Sequence, residues 1–124
     1  MTSEKIKTNI VNVKVAYIRP KYHNLKEWIY GPNNVYIGRG RIVFIDGKRF
    51  PEYNSIWANP FKVENNREDV ITQYELYIRR KINSDDNIKR LLLDLKGKTL
   101  GCWCKPNSCH GDILLKLIEE YDSV

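Results

Sequence analysis

The sequence contains no long hydrophobic run and few cysteines. No apolar stretch in its 124 residues approaches the length of roughly 20 residues that a membrane helix needs. The first residues also lack the apolar core of a signal peptide. None of the three cysteines precedes Cys102, and an odd, clustered set is not a disulfide framework. We therefore expect a cytoplasmic protein with no membrane partner, whose cysteines belong to one local site.

Length and composition predict one folded domain. A chain of 124 residues falls in the range of a single domain and buries about two-thirds of the surface that it exposes when unfolded. Hydrophobic residues make up 42% of the sequence and aromatic residues 11%, which argues against intrinsic disorder. No segment repeats or is low in complexity. We expect residues 1–124 to form one domain, and the sequence leaves the oligomeric state open.

Positive charge is concentrated in the first half of the chain. Lysine and arginine outnumber aspartate and glutamate by 21 to 15, a net charge of +6. Residues 1–49 carry ten basic and three acidic residues, a net of +7, whereas residues 50–124 carry eleven and twelve, a net of −1. This asymmetry predicts an electropositive face that meets phosphate or nucleic acid. The alternative is an ordinary solvated surface of lysines.

Hydrophobic periodicity predicts strands in the first half. The alternating, β-branched segment at residues 9–18 is typical of a strand, and residues 35–37 form a second, short one. Residues 41–50 have the pattern of a hairpin, because Asp46-Gly47 suits the positive φ angles of a type I′ turn.

The second half shows helical periodicity. Residues 66–69 have the spacing of an N-cap followed by an acidic residue, which opens one helix, and Ser84 is placed to cap the next. Residues 98–104 are typical of a strand, and a last amphipathic helix begins near His110. This order favours an α/β or α+β fold, in the form of a three-layer, Rossmann-like domain with a central, partly parallel sheet and an added β-hairpin near residues 41–50.

All three cysteines lie in one predicted strand–turn–helix segment. On a strand, Cys102 and Cys104 point to the same face, and Cys109 and His110 then stand at the start of the last helix. Three thiols and an imidazole are the ligands of a Cys3His structural zinc site. One interpretation is therefore a metal site formed by Cys102, Cys104, Cys109 and His110.

A second interpretation of this segment is a ligand site with catalytic groups. The free amides and the dipole of a helix start stabilise an anion and lower the pKa of a nearby thiol. Cys109, or Cys104, is then the candidate nucleophile, and His110 and Asp112 are the acid–base and positioning groups. In a third interpretation the cysteines are only buried apolar groups. Asp112 then complements the helix dipole and Gly111 allows close packing.

Two further motifs are candidate ligand-binding segments. Gly38-Arg39-Gly40 follows a predicted strand. Its glycines let backbone amides approach a phosphate, and its arginine adds charge-assisted hydrogen bonds. Residues 57–61 (WANPF) carry aromatic rings for stacking on a base, and the Asn59 amide for reading its edge. The alternatives are an ordinary glycine-containing turn and an aromatic loop that closes the core.

Together these motifs resemble one family. They are I-V-N-V at residues 10–13, V-Y-I-G-R-G at 35–40, W-x-N-P-F at 57–61, R-x-x-x-I-x-x-Y at 67–74, and G-C-W-C followed by C-H-G-D-x-L at 101–114. The set is similar to an uncharacterised domain of unknown function found in phages, other viruses, bacteria and archaea, over about residues 10–118. The resemblance implies a shared site without an established reaction and, for a viral chain, a place in the host cytoplasm.

This chain departs from the family pattern at two places. The segment at residues 41–56 is longer than the family's usual link, which predicts that the hairpin is an insertion. Ala58 stands where the family usually has glycine, so we expect the backbone there not to need a positive φ.

The function we expect is binding, with or without processing, of a phosphate-bearing ligand such as a nucleotide or a nucleic-acid group. The predicted ligand-binding residues are Gly38, Arg39, Gly40, Asn59, Arg67 and Gly111, and the predicted catalytic residues are Cys109, His110 and Asp112. The first alternative is a non-enzymatic nucleic-acid-binding module stabilised by zinc, with residues 1–49 as its basic face. The second is a small viral interaction protein without a ligand. The sequence does not decide whether the protein is an enzyme.

Overall fold

The computed structural model describes residues 7–61, 67–105, 107 and 109–122. Its helices and strands are β1 (Asn9–Asn12), α1 (Val15–Ile18), α2 (Leu25–Ile29), β2 (Asn34–Tyr36), β3 (Val43–Ile45), β4 (Lys48–Phe50), α3 (Arg67–Ser84), α4 (Asp86–Asp94), β5 (Thr99–Cys102) and α5 (His110–Asp122). Among these described helices, none has the length and apolar character needed to cross a membrane.

The main sheet has three parallel strands, and the last strand of the sequence lies at its centre. The spatial order is β1-β5-β2, with Asn12 paired to Cys102 and Tyr36 paired to Gly101. Because all three strands run the same way, their carboxyl ends meet at one edge. The protein is thus a mixed helix-and-strand fold, consistent with α+β, in which a small parallel sheet accompanies a separate hairpin.

The predicted hairpin is confirmed. Strands β3 and β4 pair antiparallel, with Ile45 opposite Lys48. The two turn residues, Asp46 and Gly47, have φ angles of 53° and 77°, as a type I′ turn requires. The hairpin forms its own two-stranded sheet and is not hydrogen-bonded to the parallel one.

The first strand is much shorter than the sequence predicts. The expectation of a strand over residues 9–18 is wrong beyond Asn12, because the chain turns there and enters the short helix α1. The buried Asn12 side chain makes this turn: its Oδ1 accepts a hydrogen bond from the Lys14 backbone N–H at 2.9 Å. The β-branched residues that followed the strand pattern therefore lie partly on a helix, because tertiary contacts outweigh their strand propensity.

The cap between α3 and α4 lies one residue later than predicted. Ser84 is the last residue of α3, and its hydroxyl donates back to the Lys81 carbonyl at 3.1 Å. The cap of α4 is Asp85, whose carboxylate accepts a hydrogen bond from the Asn87 N–H at 2.9 Å. The N-cap predicted at Asn66 for α3 lies outside the described residues.

Apolar cores cover the central strand on both faces. Leu100 and Cys102 belong to a core shared with α3, α4 and α5. On the other face Gly101 lies under Trp28, and a Cβ at that glycine would come within 2.5 Å of the indole ring. Trp28 belongs to a second, smaller core with Val13. The sheet therefore holds its carboxyl edge between two packed layers of side chains.

Candidate metal centre

The structure brings the cysteines and His110 together at the carboxyl edge of the sheet. Cys102 ends β5, and a turn follows in which the Asn107 N–H donates to the Cys104 carbonyl at 2.8 Å. Cys109 directly precedes α5, and His110 is the first residue of that helix. Strand, turn and helix thus place Cys104, Cys109 and His110 around one point, and Cys102 ends the strand that leads into them.

The donor atoms have the spacing of a metal site. One donor atom from each of Cys104, Cys109 and His110 lies within 4.8 Å of the other two. The Cys109 Sγ and the His110 Nδ1 are 3.6 Å apart. In tetrahedral zinc sites, bond lengths of about 2.3 Å to sulfur and 2.0–2.1 Å to nitrogen put such a pair at about 3.6 Å. The two distances agree.

His110 is oriented by its second ring nitrogen. Its Nε2 lies 2.7 Å from the Ile37 carbonyl oxygen. Because a carbonyl only accepts, Nε2 carries the proton, and the Nδ1 of the neutral ring presents its lone pair to the cysteines. The edge of the Tyr74 ring packs on the imidazole, with ring centroids 5.0 Å apart. Histidines that bind metals are fixed in this way, with the remote N–H donated to a carbonyl or carboxylate.

Cys102 completes the group of sulfurs. Its side chain is fully buried, and the neighbouring Cys104 thiol is the largest cause of its raised pKa. The Gly111 N–H points at the Cys109 sulfur at 3.4 Å. Backbone donors aimed at sulfur stabilise negative charge there, as metal-bound thiolates require.

Contacts among the three thiols shift their pKa values in opposite directions. The neighbouring thiols of Cys102 and Cys109, which hydrogen-bond to its sulfur, lower the pKa of the Cys104 thiol far below its usual value. The same contacts raise the pKa of Cys109, chiefly through Cys102, and the pKa of Cys102, chiefly through Cys104. The position of Cys109 at the helix start predicts a lowered pKa for its thiol. In the structure the thiol with the lowered pKa is Cys104.

Asp112 closes the turn from the outside. Its Oδ1 accepts from the Lys105 ammonium at 2.7 Å, and its Oδ2 accepts from the Cys109 backbone N–H at 3.1 Å. The carboxylate raises the pKa of Lys105 through this hydrogen bond. An anion bound at the start of α5 would use the Cys109 N–H as a donor, but the Asp112 carboxylate already accepts from it. The acid–base and positioning role expected for Asp112 stays a prediction.

The Gly-Arg-Gly loop lies beside the cluster. Gly38 directly follows the Ile37 carbonyl that holds His110. The Arg39 guanidinium donates through Nε to the Asn59 carbonyl at 2.9 Å and through Nη2 to the Phe61 carbonyl at 2.8 Å. The predicted ligand-binding residues Arg39 and Asn59 are therefore in contact. In this contact the Arg39 side chain stabilises the backbone at Asn59.

The remaining predicted site residues have simpler surroundings. The Gly40 N–H donates to the Asn54 side chain at 2.7 Å. A Cβ at Gly111 would come within 2.9 Å of the Ile10 side chain, so this glycine allows α5 to pack closely on β1. Arg67 begins α3, and its side chain lies outside the described residues.

Two residues important for this edge were missed by the sequence argument. The Asn12 amide donates to the Lys105 carbonyl at 2.6 Å and so ties β1 to the cysteine turn. The Tyr36 hydroxyl accepts from the Trp103 indole N–H at 2.7 Å and donates to the Arg39 carbonyl at 2.6 Å. Burial raises the pKa of Tyr36 to about 12. A polar asparagine within a β-branched run was the available signal for the first of these links.

A family model described as "Domain of unknown function (DUF4326)" matches residues 21–120. The chain belongs to this family. The expected resemblance to an uncharacterised domain family is thereby confirmed, while the individual motifs assigned to that family stay predictions. No solved structure matches this DUF4326 chain.

Two viral relatives of this DUF4326 chain are uncharacterised. "Uncharacterized protein R718" of Acanthamoeba polyphaga mimivirus is 37% identical over 102 residues, which is 72% of each chain. "Uncharacterized 12.4 kDa protein in nrdA-td intergenic region" of Enterobacteria phage T4 is 37% identical over 65 residues, or 52% of this chain and 60% of the phage protein. The chain thus covers about three-fifths of the phage protein's length.

Proposed function

We propose that this chain is a non-enzymatic nucleic-acid-binding module stabilised by zinc. The observation that carries the proposal is the convergence of Cys104, Cys109 and His110 within 4.8 Å, together with the fixed Nε2 proton of His110. A packing role for the cysteines does not require a histidine oriented with its free nitrogen towards two sulfurs.

The chemistry of the donor atoms favours zinc in a structural role. Thiolate sulfur and imidazole nitrogen in a four-coordinate set are typical of zinc. Catalytic zinc keeps one position open to water, whereas structural zinc takes all its ligands from the protein. Cys102 and Cys109 are fully buried and His110 is 6% exposed, whereas Cys104 is partly exposed, so most of the cluster is shielded from water. Zinc here would join β5, the turn and α5.

Charge and exposed aromatic rings support nucleic acid as the partner. Residues 1–49 carry the net charge of +7, and the same half of the chain exposes large rings. Tyr17 is 64% exposed and Phe44 66%. Basic side chains attract the phosphate backbone, and exposed rings stack on unpaired bases.

Elemental analysis of the purified full chain tests the metal part of this proposal. We expect one equivalent of zinc, retained in His23→Asn and lost in His110→Asn and Cys104→Ser. His23 is the matched control because it is the second histidine of the chain and is exposed. Folded protein without metal, with the same stability before and after addition of zinc, would refute the metal centre.

The salt dependence of binding tests the nucleic-acid part. The affinity of the zinc-loaded chain for a labelled oligonucleotide is expected to fall steeply as salt rises, because bound cations are released from the phosphates. A chain that shows no binding at low salt would refute this part of the proposal.

A second candidate function is binding, or processing, of a small phosphate-bearing ligand. It is favoured by the 2.7 Å contact between His110 and the Ile37 carbonyl, which brings the Gly38 loop next to the start of α5. In a three-layer, Rossmann-like arrangement this edge is the usual ligand site. Arg39 would bind phosphate, and Cys109, His110 and Asp112 would act on it. The Asp112 carboxylate at the helix start disfavours an anion, so we place this function second. Calorimetry with a panel of nucleotides tests it.

A further inference from the structure

We propose that a groove beside β1 binds one strand of unpaired nucleic acid. This inference rests on the proposed function and names the surface that would perform it. The groove, here called the tyrosine groove, has a volume of about 750 Å³. Its distinguishing side chains are Tyr17, Arg19, Lys21, Tyr22 and Lys105. A volume of this size is typical of sites that hold nucleotide-scale ligands.

The charges that line the groove are all positive. Arg19 and Lys21 follow α1, and Lys105 faces them from the cysteine turn, while no aspartate or glutamate is among the lining residues. The Arg19 Nε donates to the His23 carbonyl at 3.0 Å, which holds this long side chain in place. Arg19 and Lys21 provide the positive charge of the groove, since the Lys105 ammonium is paired with the Asp112 carboxylate. Two cations beside a groove attract a chain of phosphates.

Tyrosine rings provide a surface for bases. Tyr17 is 64% exposed. The Tyr22 hydroxyl lies 3.3 Å from the Asn34 amide nitrogen, and the Lys21 ammonium lies 5.5 Å from the centre of the same ring. Tyr22 is therefore held in position, while Tyr17 is free to stack. A base can stack on Tyr17 only when it is unpaired, so single strands fit this surface better than duplexes.

The groove is connected to the candidate metal centre. Asn12 lines the groove, and its amide donates to the Lys105 carbonyl at 2.6 Å. Lys105 in turn belongs to the turn between Cys104 and Cys109. A metal that holds this turn also fixes one wall of the groove, so removal of zinc is expected to weaken binding of the strand.

Fluorescence anisotropy of a labelled 12-nucleotide oligothymidylate, with the zinc-loaded full chain, tests the groove. We expect Tyr17→Ala to weaken binding about five-fold or more, the range of lost base stacking. Lys21→Gln is expected to reduce the slope of log affinity against log salt by about one. The controls are Tyr53→Ala and Arg90→Gln, which remove an exposed ring and an exposed cation outside the groove and outside residues 1–49. Both are expected to bind within about two-fold of the wild type. Zinc content is measured for every variant.

The outcomes separate this inference from the proposed function. If the wild type binds the oligonucleotide and the two groove variants bind no worse than their controls, the groove inference fails and the proposed function stands. If the wild type binds nothing, both fail. Tighter binding of a duplex than of the single strand overturns the groove inference, as does displacement of the strand by thymidine monophosphate at a concentration equal to that of the strand's nucleotides.

Discussion

The Gly-Arg-Gly loop and the cysteine turn lie side by side at one edge of the sheet, yet their polar atoms are used in different ways. In the loop, Arg39 donates to two backbone carbonyls and Gly40 donates to Asn54, so these donors stabilise the protein's own chain. In the turn, two sulfurs and an imidazole nitrogen converge on each other. Sulfur and nitrogen atoms that converge in this way are typical of a candidate metal site, whereas polar groups paired to the backbone stabilise the fold.

The largest expected effect comes from removing the metal. A ligand that binds only the folded state stabilises it by about 4 kcal/mol when its concentration is about a thousand times its Kd. We therefore expect a zinc chelator to lower the Tm markedly in the wild type, as measured by thermal unfolding with circular dichroism. The Tm of Cys104→Ser is expected to be low already and not to respond to the chelator. A wild-type Tm that does not change would remove the contrast between turn and loop.

A smaller loss of stability is expected from Arg39→Met. This change removes two hydrogen bonds from a charged donor to carbonyls, and we expect it to cost about 2 kcal/mol in the free energy of unfolding. Arg41→Met, at an exposed neighbouring position, is the control and should cost less than about 0.5 kcal/mol. Chemical denaturation measures both.

The Arg39 variant also decides between the two uses of the loop. We expect it to keep its zinc and its affinity for single strands under conditions in which it is folded. If Arg39→Met retains full stability and loses binding of nucleotide phosphate, the loop is a ligand site. The loop would then not have the structural role that we assign to it in contrast to the turn.

The smallest expected effect is at Tyr36, whose hydroxyl connects the loop to the turn. Its pKa in the folded protein is about 12, whereas an unfolded tyrosine ionises near about 10. Above pH 10 the unfolded chain loses this proton first, so the stability that Tyr36 contributes below pH 10 is lost as the pH rises towards 12.

Denaturation at several pH values tests the Tyr36 prediction. The free energy of unfolding is expected to fall less steeply between about pH 10 and 12 in Tyr36→Phe than in the wild type, by about 1 kcal/mol over the range. Tyr17→Phe should follow the wild type, because Tyr17 is exposed. Equal slopes in all three proteins would contradict the raised pKa that burial gives to Tyr36.

Local signals predicted much of this fold. The Asp46-Gly47 turn is determined by two adjacent residues, and the helices of the second half by apolar spacing, so both could be identified from the sequence. The β1–α1 boundary could not, because it depends on Asn12 bonding to Lys14 and to Lys105, far away in the chain. Ser84 and Asp85 are both good caps, and only the bond from Ser84 back into α3 decides between them.

The candidate site shows the same division. Cys102, Cys104, Cys109 and His110 lie close in sequence, so their convergence could be predicted from a strand, a turn and a helix start. The engagement of Arg39 could not, because its acceptors lie some 20 residues away in an irregular loop. The groove is lined by Tyr17 and Lys105, which lie far apart in the sequence. Neither of their segments contains a motif that predicts contact with the other segment.

The central position of β5 has a consequence for the order of folding. In the described sheet β1 and β2 pair with opposite edges of β5. Thr99 of β5 is paired with Asn9 of β1 and with Asn34 of β2. During synthesis β5 is added some 90 residues after β1 and some 65 residues after β2. Neither early strand can pair in the sheet before then. Contacts so distant in sequence slow folding. The strand that completes the sheet is followed at once by the cysteine turn, so capture of a metal ion there would coincide with closure of the sheet.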